Sequence, residues 1–419
     1  MISPTDMHRG FALRAYLGVS YLFALIAKPV LRRRLARGKE HPDRWPEKLG
    51  LGLAVRPEGR LIWLHAVGLG EVLSLRGLIA RIGAAYPDIC FLVTSTTAAS
   101  ADVFAKNAPD RTVHQFLPID APRYRKRFLD HFTPDLCVWV EQDLWPGFVS
   151  DLAKRGIPQC MIAARMNARS LKSHQRAASL YRDLYQAMAL VTAQERITAS
   201  NLERLGAKPR ITGSLKPAAP ALSTDPATGE ALQNAVAGRF VWAVASAHPE
   251  DAAIAQEAHG LLRQTDPTAL LIVAPRFAQA FADHPAPRWS KGDLPAPADP
   301  IWLCDTLGDL GLVYRAAQAA LIGGTFNAIE GHNPWEAAAL GCAIMHGPRT
   351  ANFKQDYTDL DAAKAALPVF DAVETARALT SGLLGATARN ATQCVAQSSA
   401  STDELATRLV QILEASDGR

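Results

Sequence analysis

Two series of short apolar runs, spaced mostly by helix-length segments, limit what this chain can fold into more than any other feature. In the first half the runs are 61–66, 90–94, 114–117, 136–141, 159–163, 190–193 and 210–212. In the second half they are 240–245, 269–274, 301–304, 319–322, 343–346 and 368–370. Runs of this length separated by helical patterns imply parallel strands covered by helices on both faces. Because the series occurs twice, the expected fold class is α/β, with two Rossmann-like doubly wound domains facing a central cleft. In open parallel sheets ligands sit beyond the carboxyl ends of strands, so the residues after each run carry the chemistry.

At 419 residues, with 48% hydrophobic and 20% charged content, the chain exceeds one ordinary core and fits two domains. The expected boundaries are an N-terminal segment at 1–36, a first domain at 37–215, a proline-rich linker at 216–227 (KPAAPALSTDPA) and a second domain at 228–419. Cys90, Cys137, Cys160, Cys304, Cys342 and Cys394 are far apart with no C-x-x-C pair, which points to reduced thiols rather than a disulfide framework or zinc site, and to the cytoplasm.

The net charge of +5 belongs to one end. Residues 1–60 carry 12 Lys/Arg against 5 Asp/Glu, a net of +7, leaving 33 against 35, or −2, for the rest. There the apolar run 15–27 (AYLGVSYLFALIA) lies between Arg14 and Lys28, followed by Arg32, Arg33, Arg34, Arg37 and Lys39. Its 13 residues fall short of the roughly 20 needed to span a bilayer, so a peripheral or monotopic helix is expected, its basic flank holding anionic membrane lipids. A cleaved signal peptide and a buried core helix are the competing readings; the basic cluster lies on the wrong side for the first. The cluster has no interleaved aromatics, so no nucleic-acid partner is expected.

Several strand ends carry candidate residues. Gly323 to Glu336 (GGTFNAIEGHNPWE) follows an apolar run and leads into a helix-forming stretch. Free N–H groups at such a helix start favour an anion, and Glu336 is placed to accept hydrogen bonds from sugar hydroxyls. The alternative is an ordinary corner with Pro334 at the first helical position. Glu71, in Val67-Gly68-Leu69-Gly70-Glu71, is a candidate general base or simply completes a helical turn. Glu141 ends another run, as a cleft carboxylate or a helix-start residue. Lys216 closes Thr212-Gly213-Ser214-Leu215-Lys216 as an anion partner or a solvated lysine. Pro275-Arg276 suits a phosphate or carboxylate fork, or a surface arginine. Leu307, Gly308 and Asp309 lie in a turn suited to contacting a base or ribose, or to capping a helix.

Together these segments resemble the Kdo transferase family, enzymes that add 3-deoxy-D-manno-octulosonic acid (Kdo) to lipid A. The resemblance runs through Arg37-Gly38-Lys39-Glu40, Trp45-Pro46-Glu47-Lys48-Leu49-Gly50, His65 to Glu71, Leu117-Pro118-Ile119-Asp120 and Glu141 to Pro146. It continues through Ala164-Arg165-Met166, Thr212 to Lys216, Ser246-Ala247-His248, Pro275-Arg276, Asp305 to Asp309, Gly331 to Glu336 and His346 to Lys354. It implies a GT-B glycosyltransferase with an N-terminal acceptor domain and a C-terminal donor domain. It further implies CMP-Kdo as donor, inversion at the anomeric centre, no cofactor and no metal. Glu71 would take the proton of a lipid A precursor hydroxyl. Glu141 and Lys216 would stabilise the transition state, and Pro275, Arg276, Leu307, Gly308, Asp309, Asn333, Pro334, Trp335 and Glu336 would line the CMP site. The location implied is the cytoplasmic face of a bacterial inner membrane.

The chain departs from the family at Phe277, usually histidine; at Pro249 and Asp143, usually glutamates; at Asp309, usually glutamate; and at Glu330, usually glycine. A new negative charge at Glu330 should weaken binding of an anionic donor unless a cation pairs with it. Two other readings remain: a GT-B transferase with another nucleotide sugar or acceptor, and a non-catalytic lipid-binding paralogue, against which the retention of Glu71, Glu141 and Lys216 argues.

Overall fold

The computed structural model describes residues 9–98, 100, 101, 104 and 108–417; residues 1–8 of the expected N-terminal segment lie outside them. The chain forms two compact units, one running to Ala219 and resuming at Ser398, the other Pro220–Gln397. The sequence expectation kept 228–419 together. Instead, the last helix, Leu384–Asp417, begins in the second unit and ends in the first, where Leu405, Leu409, Val410 and Leu413 join the core.

The first unit is built on a seven-stranded sheet of β1 (Arg60–His65), β2 (Ile89–Ser95), β3 (Thr112–Phe116), β4 (Leu136–Val140), β5 (Gln159–Ala164), β6 (Leu190–Ala193) and β7 (Arg210–Ile211). Its order is β3-β2-β1-β4-β5-β6-β7, and the pairings are parallel. Parallel strands covered on both faces must be apolar on both, and β1 shows the consequence. Leu61 and Trp63 pack with Leu13, Phe128, Phe148 and Trp139 on one face. Ile62 and Leu64 pack with Val72, Leu75 and Leu409 on the other.

The second unit repeats the plan with β8 (Val241–Ala247), β9 (Leu270–Pro275), β10 (Ile301–Leu303), β11 (Ala319–Ile322), β12 (Ala343–His346) and β13 (Ala366–Pro368). The order is β10-β9-β8-β11-β12-β13, again parallel. In each sheet the order reverses beside the first strand, between β1 and β4 and between β8 and β11. That switch point is where a crevice opens at the carboxyl ends. Helix starts follow local chemistry: Pro122, Pro146, Pro226 and Pro249 occupy first helical positions, and Asn167, Asp225 and Asp371 accept from backbone N–H groups as caps.

The N-terminal helix is longer than its apolar run suggested. It spans Phe11–Ala36, 26 residues with Pro29 inside, and is long and apolar enough by length and composition to cross a membrane. It nevertheless packs on its own unit through Leu13, Ser20, Ala27 and Leu31, spaced as one helical stripe. Tyr16 Oη donates to Asp120 Oδ2 at 2.7 Å, and the Gly10 N–H donates to Asp183 Oδ2 at 2.8 Å. Phe11, Val19, Tyr21, Leu22, Leu25, Ile26 and Val30 remain exposed.

Candidate active site

In the first unit Glu71 and Glu141 sit on either side of the switch point, just beyond β1 and β4. The helix Leu69–Ala85 places Glu71 in its first turn, and the carboxylate folds back so that Oε2 accepts the N–H of Val67 at 2.8 Å and of Gly68 at 3.4 Å. Glu141 follows β4 with φ of 60°, a left-handed conformation unusual for a side chain of this size and one that concentrates at functional sites. Gln194 Nε2 donates to Glu141 Oε1 at 3.4 Å and to the Ala163 carbonyl at 3.0 Å. Burial, then the charge of Glu71, pushes the Glu141 carboxyl up to about 7, against the pull of Lys216, Arg165 and the Gln194 bond.

Glu71, Glu141 and Lys216 are therefore electrostatic neighbours, together with two residues that had no expected role. Arg165 and Gln194 stand just after β5 and β6. The signal for Gln194 was position alone, the carboxyl end of a strand; Arg165 also lies in Ala164-Arg165-Met166, one of the segments that carry the family resemblance.

In the second unit Pro275, Arg276, Leu307, Gly308 and Glu336 line one pocket of about 160 Å³ with Leu222, Ser246, Ala274, Cys304, Thr306 and Leu310. Burial pushes the Glu336 carboxyl up, opposed by the Asn333 amide and by Arg276. Asp309, Asn333, Pro334 and Trp335 are not among the lining residues. Asp309 Oδ2 accepts from Thr306 Oγ1 and, at 3.2 Å, from Trp289 Nε1. Asn333 accepts the Trp335 N–H at 3.2 Å and donates to Glu336 Oε1 at 3.2 Å. Trp335 is buried and donates its indole N–H to Asp356 at 2.8 Å.

The Gly323–Glu336 turn leads into a helix, Trp335–Ala339, of only 5 residues, and at its strand end it holds one of the protein's own carboxylates. The fully buried Asp251 accepts the Gly324 N–H at 2.8 Å, the Phe326 N–H at 3.2 Å and the His248 N–H at 3.0 Å. The turn is thereby joined to the helix Pro249–Leu262 beyond β8. Gly323 is required there, because a Cβ would meet the Ser246 carbonyl oxygen at 2.3 Å. Among the described residues no cluster of three His, Cys, Asp or Glu could hold a metal.

A family model described as 3-deoxy-D-manno-octulosonic-acid transferase (kdotransferase) matches residues 43–219. The chain is 31% identical over 362 residues to the probable 3-deoxy-D-manno-octulosonic acid transferase, mitochondrial, of Arabidopsis thaliana, covering 82% of this chain and 81% of that one. The chain belongs to the 3-deoxy-D-manno-octulosonic acid transferase family. It is 30% identical over 349 residues to the family member of Rickettsia bellii, covering 80% of this chain and 82% of the relative. Among solved structures it is similar to the glycotransferase of kitacinnamycin, at 14% identity and a TM-score of 0.52, over 85% of this chain and 99% of that one. The fold is accordingly GT-B and the protein a glycosyltransferase.

Two departures of this transferase now have a physical reading. Glu330 has φ of 64°, a left-handed position that glycine takes without strain, and Arg349 pairs with its carboxylate. Phe277 is 58% exposed and meets the His248 ring edge-on at 5.9 Å, beside the Arg276 guanidinium.

Proposed function

We propose that the protein is an inverting glycosyltransferase that moves Kdo from CMP-Kdo to a hydroxyl of a lipid A precursor of the lipid IVA type in lipopolysaccharide core biosynthesis. The observation that carries this reading is the pairing of Glu71 with Glu141 at the switch point of the first unit, in a chain of the Kdo transferase family. The acceptor oxygen attacks the anomeric carbon of Kdo, and the bond from that carbon to the CMP phosphate oxygen breaks with its electron pair leaving on phosphate. The acceptor proton goes to Glu71. One base suffices for a one-step inversion. Fixed cations offset charge as it develops, a role suited to Lys216 and Arg276 and one that calls for no metal.

For the donor, Arg276 suits the phosphate, the Leu307–Gly308 turn the base, and Glu336 the ribose hydroxyls. The exposed apolar stripe of the Phe11–Ala36 helix, with Arg14, Lys28, Arg32 and Arg33 exposed beside it, suits a monotopic seat on an anionic membrane, at the cytoplasmic face where the lipid acceptor is made.

Glu71→Gln tests the mechanism. Turnover should fall by roughly 10²–10⁴-fold while CMP affinity stays within about twofold, because the base is lost and the donor pocket is untouched. Unchanged turnover would remove Glu71 from the mechanism.

A further inference from the structure

A polar chain inside the first unit ends at the candidate site and has no part in the mechanism above. Trp63 Nε1 donates to Thr94 Oγ1 at 2.8 Å, and the same oxygen lies 2.8 Å from His65 Nδ1. His65 Nε2 lies 3.1 Å from Asp143 Oδ2, which also accepts Trp145 Nε1 at 2.8 Å. A carboxylate only accepts, so His65 Nε2 carries the proton and donates. Trp63, Thr94 and His65 are wholly buried, whereas the Asp143 side chain is 36% exposed.

We infer that Asp143 is an acceptor-positioning residue whose Oδ1 takes a hydrogen bond from a hydroxyl or amide N–H of the acceptor sugar. The inference rests on the reading of this site as one that glycosylates a sugar hydroxyl. His65 ends β1 and Asp143 lies two residues beyond Glu141, so the pair bridges the strands of the switch point. Oδ2 is held by two N–H donors, one of them locked in the core, which fixes the direction of the carboxyl group before any ligand arrives. Among the described residues no hydrogen bond is found at Oδ1.

The charge on this carboxylate is maintained against its surroundings. Burial acts to raise the Asp143 carboxyl, yet the hydrogen bond and charge of His65 and the bond from Trp145 hold it below the ordinary carboxylate range. Burial first and the Asp143 charge second push the neighbouring Tyr181 phenol up, so that, unlike Asp143, it keeps its proton. An ionised, acceptor-only oxygen repels phosphate and carboxylate and binds groups that carry hydrogen, such as the hydroxyls and amides of an acylated amino sugar.

The competing role is a staple that only fastens the 141–146 loop to the core. A staple uses Oδ2 alone, and asparagine would serve as well: its amide oxygen accepts from His65 and Trp145 while its NH₂ replaces Oδ1. Steady-state kinetics of the full-length wild type, Asp143→Asn and Asp143→Glu with CMP-Kdo and a tetra-acylated disaccharide lipid A precursor separate the two roles. For Asp143→Asn, kcat/KM for the acceptor should fall roughly ten- to hundredfold, with donor KM within about twofold and Tm within about 2 °C of wild type. Asp143→Glu, which restores the charge, should recover most of the loss. Acceptor kcat/KM unchanged in Asp143→Asn, a loss shared with donor KM and Tm, or no recovery in Asp143→Glu would each overturn the assignment. A wild type that transfers nothing from CMP-Kdo would instead overturn the functional reading, and this assignment with it.

Discussion

Arg349 clasps the left-handed corner at Glu330: its guanidinium pairs with the Glu330 carboxylate and donates from Nε to the Asn327 carbonyl at 2.8 Å. A charge that would oppose an anionic donor is thus paired. Arg349→Ala should weaken CMP binding severalfold, and adding Glu330→Gly should restore it. Glu330→Gly alone exchanges relief of left-handed strain, about 1 kcal/mol, for a surface pair worth about as much, so its stability should stay near wild type. CMP titration of the three variants checks this; equal affinities in all three would show that the pair is irrelevant to the donor.

Asp251 makes a second prediction, because three backbone N–H groups depend on one buried side chain. Asp251→Ala leaves them without that acceptor and should destabilise the protein by about 2–4 kcal/mol, read from the denaturant midpoint. Asp251→Asn, which keeps one acceptor oxygen, should lose less. Equal midpoints for wild type and Asp251→Ala would mean that water satisfies the turn.

These two contacts also show where the sequence was readable. Each strand lay within about two residues of an apolar run, because parallel strands buried on both faces leave no other pattern, and the positions of Glu71 and Glu141 beyond β1 and β4 could be read because the end of an apolar run marks the end of a strand. What escaped was long-range. Nothing near Gly324 indicates that Asp251, 73 residues earlier, fills its N–H groups. Arg349 lies 19 residues from Glu330, and the last helix returns to the first unit through packing that no local motif marks. Asn333 and Trp335, by their motif expected in the CMP site, also build the turn and its core, through hydrogen bonds that the motif does not announce.

Glu141 predicts a pH dependence. Its folded-state pKa of about 7 lies above the ordinary carboxylate value, so between roughly 4.5 and 7 the folded chain holds a proton that the unfolded chain releases. Stability from this group is full below that window and declines as pH rises through it, by up to about 3 kcal/mol. Glu141→Gln should remove that decline, so unfolding free energies of the two proteins converge at pH 4.5 and separate by pH 8. Parallel curves would place the Glu141 pKa in the ordinary range.

The N-terminal helix calls for a substitution rather than a deletion. Removing residues 1–30 would also remove Leu13 from the core and Tyr16 from Asp120. Leu22→Ser with Leu25→Ser changes two exposed positions only. Sedimentation with anionic phospholipid vesicles should show weaker partitioning at unchanged Tm; equal partitioning would count against the helix as the membrane seat.

The most direct measurement is the mass of the product formed when the purified full-length protein is incubated with a lipid A precursor and, in turn, CMP-Kdo, a UDP-sugar or a GDP-sugar. With CMP-Kdo alone the expected product is a lipid heavier by one or more whole Kdo residues, and no such product forms with Glu71→Gln. Product from a UDP- or GDP-sugar, or no product from CMP-Kdo, would contradict it.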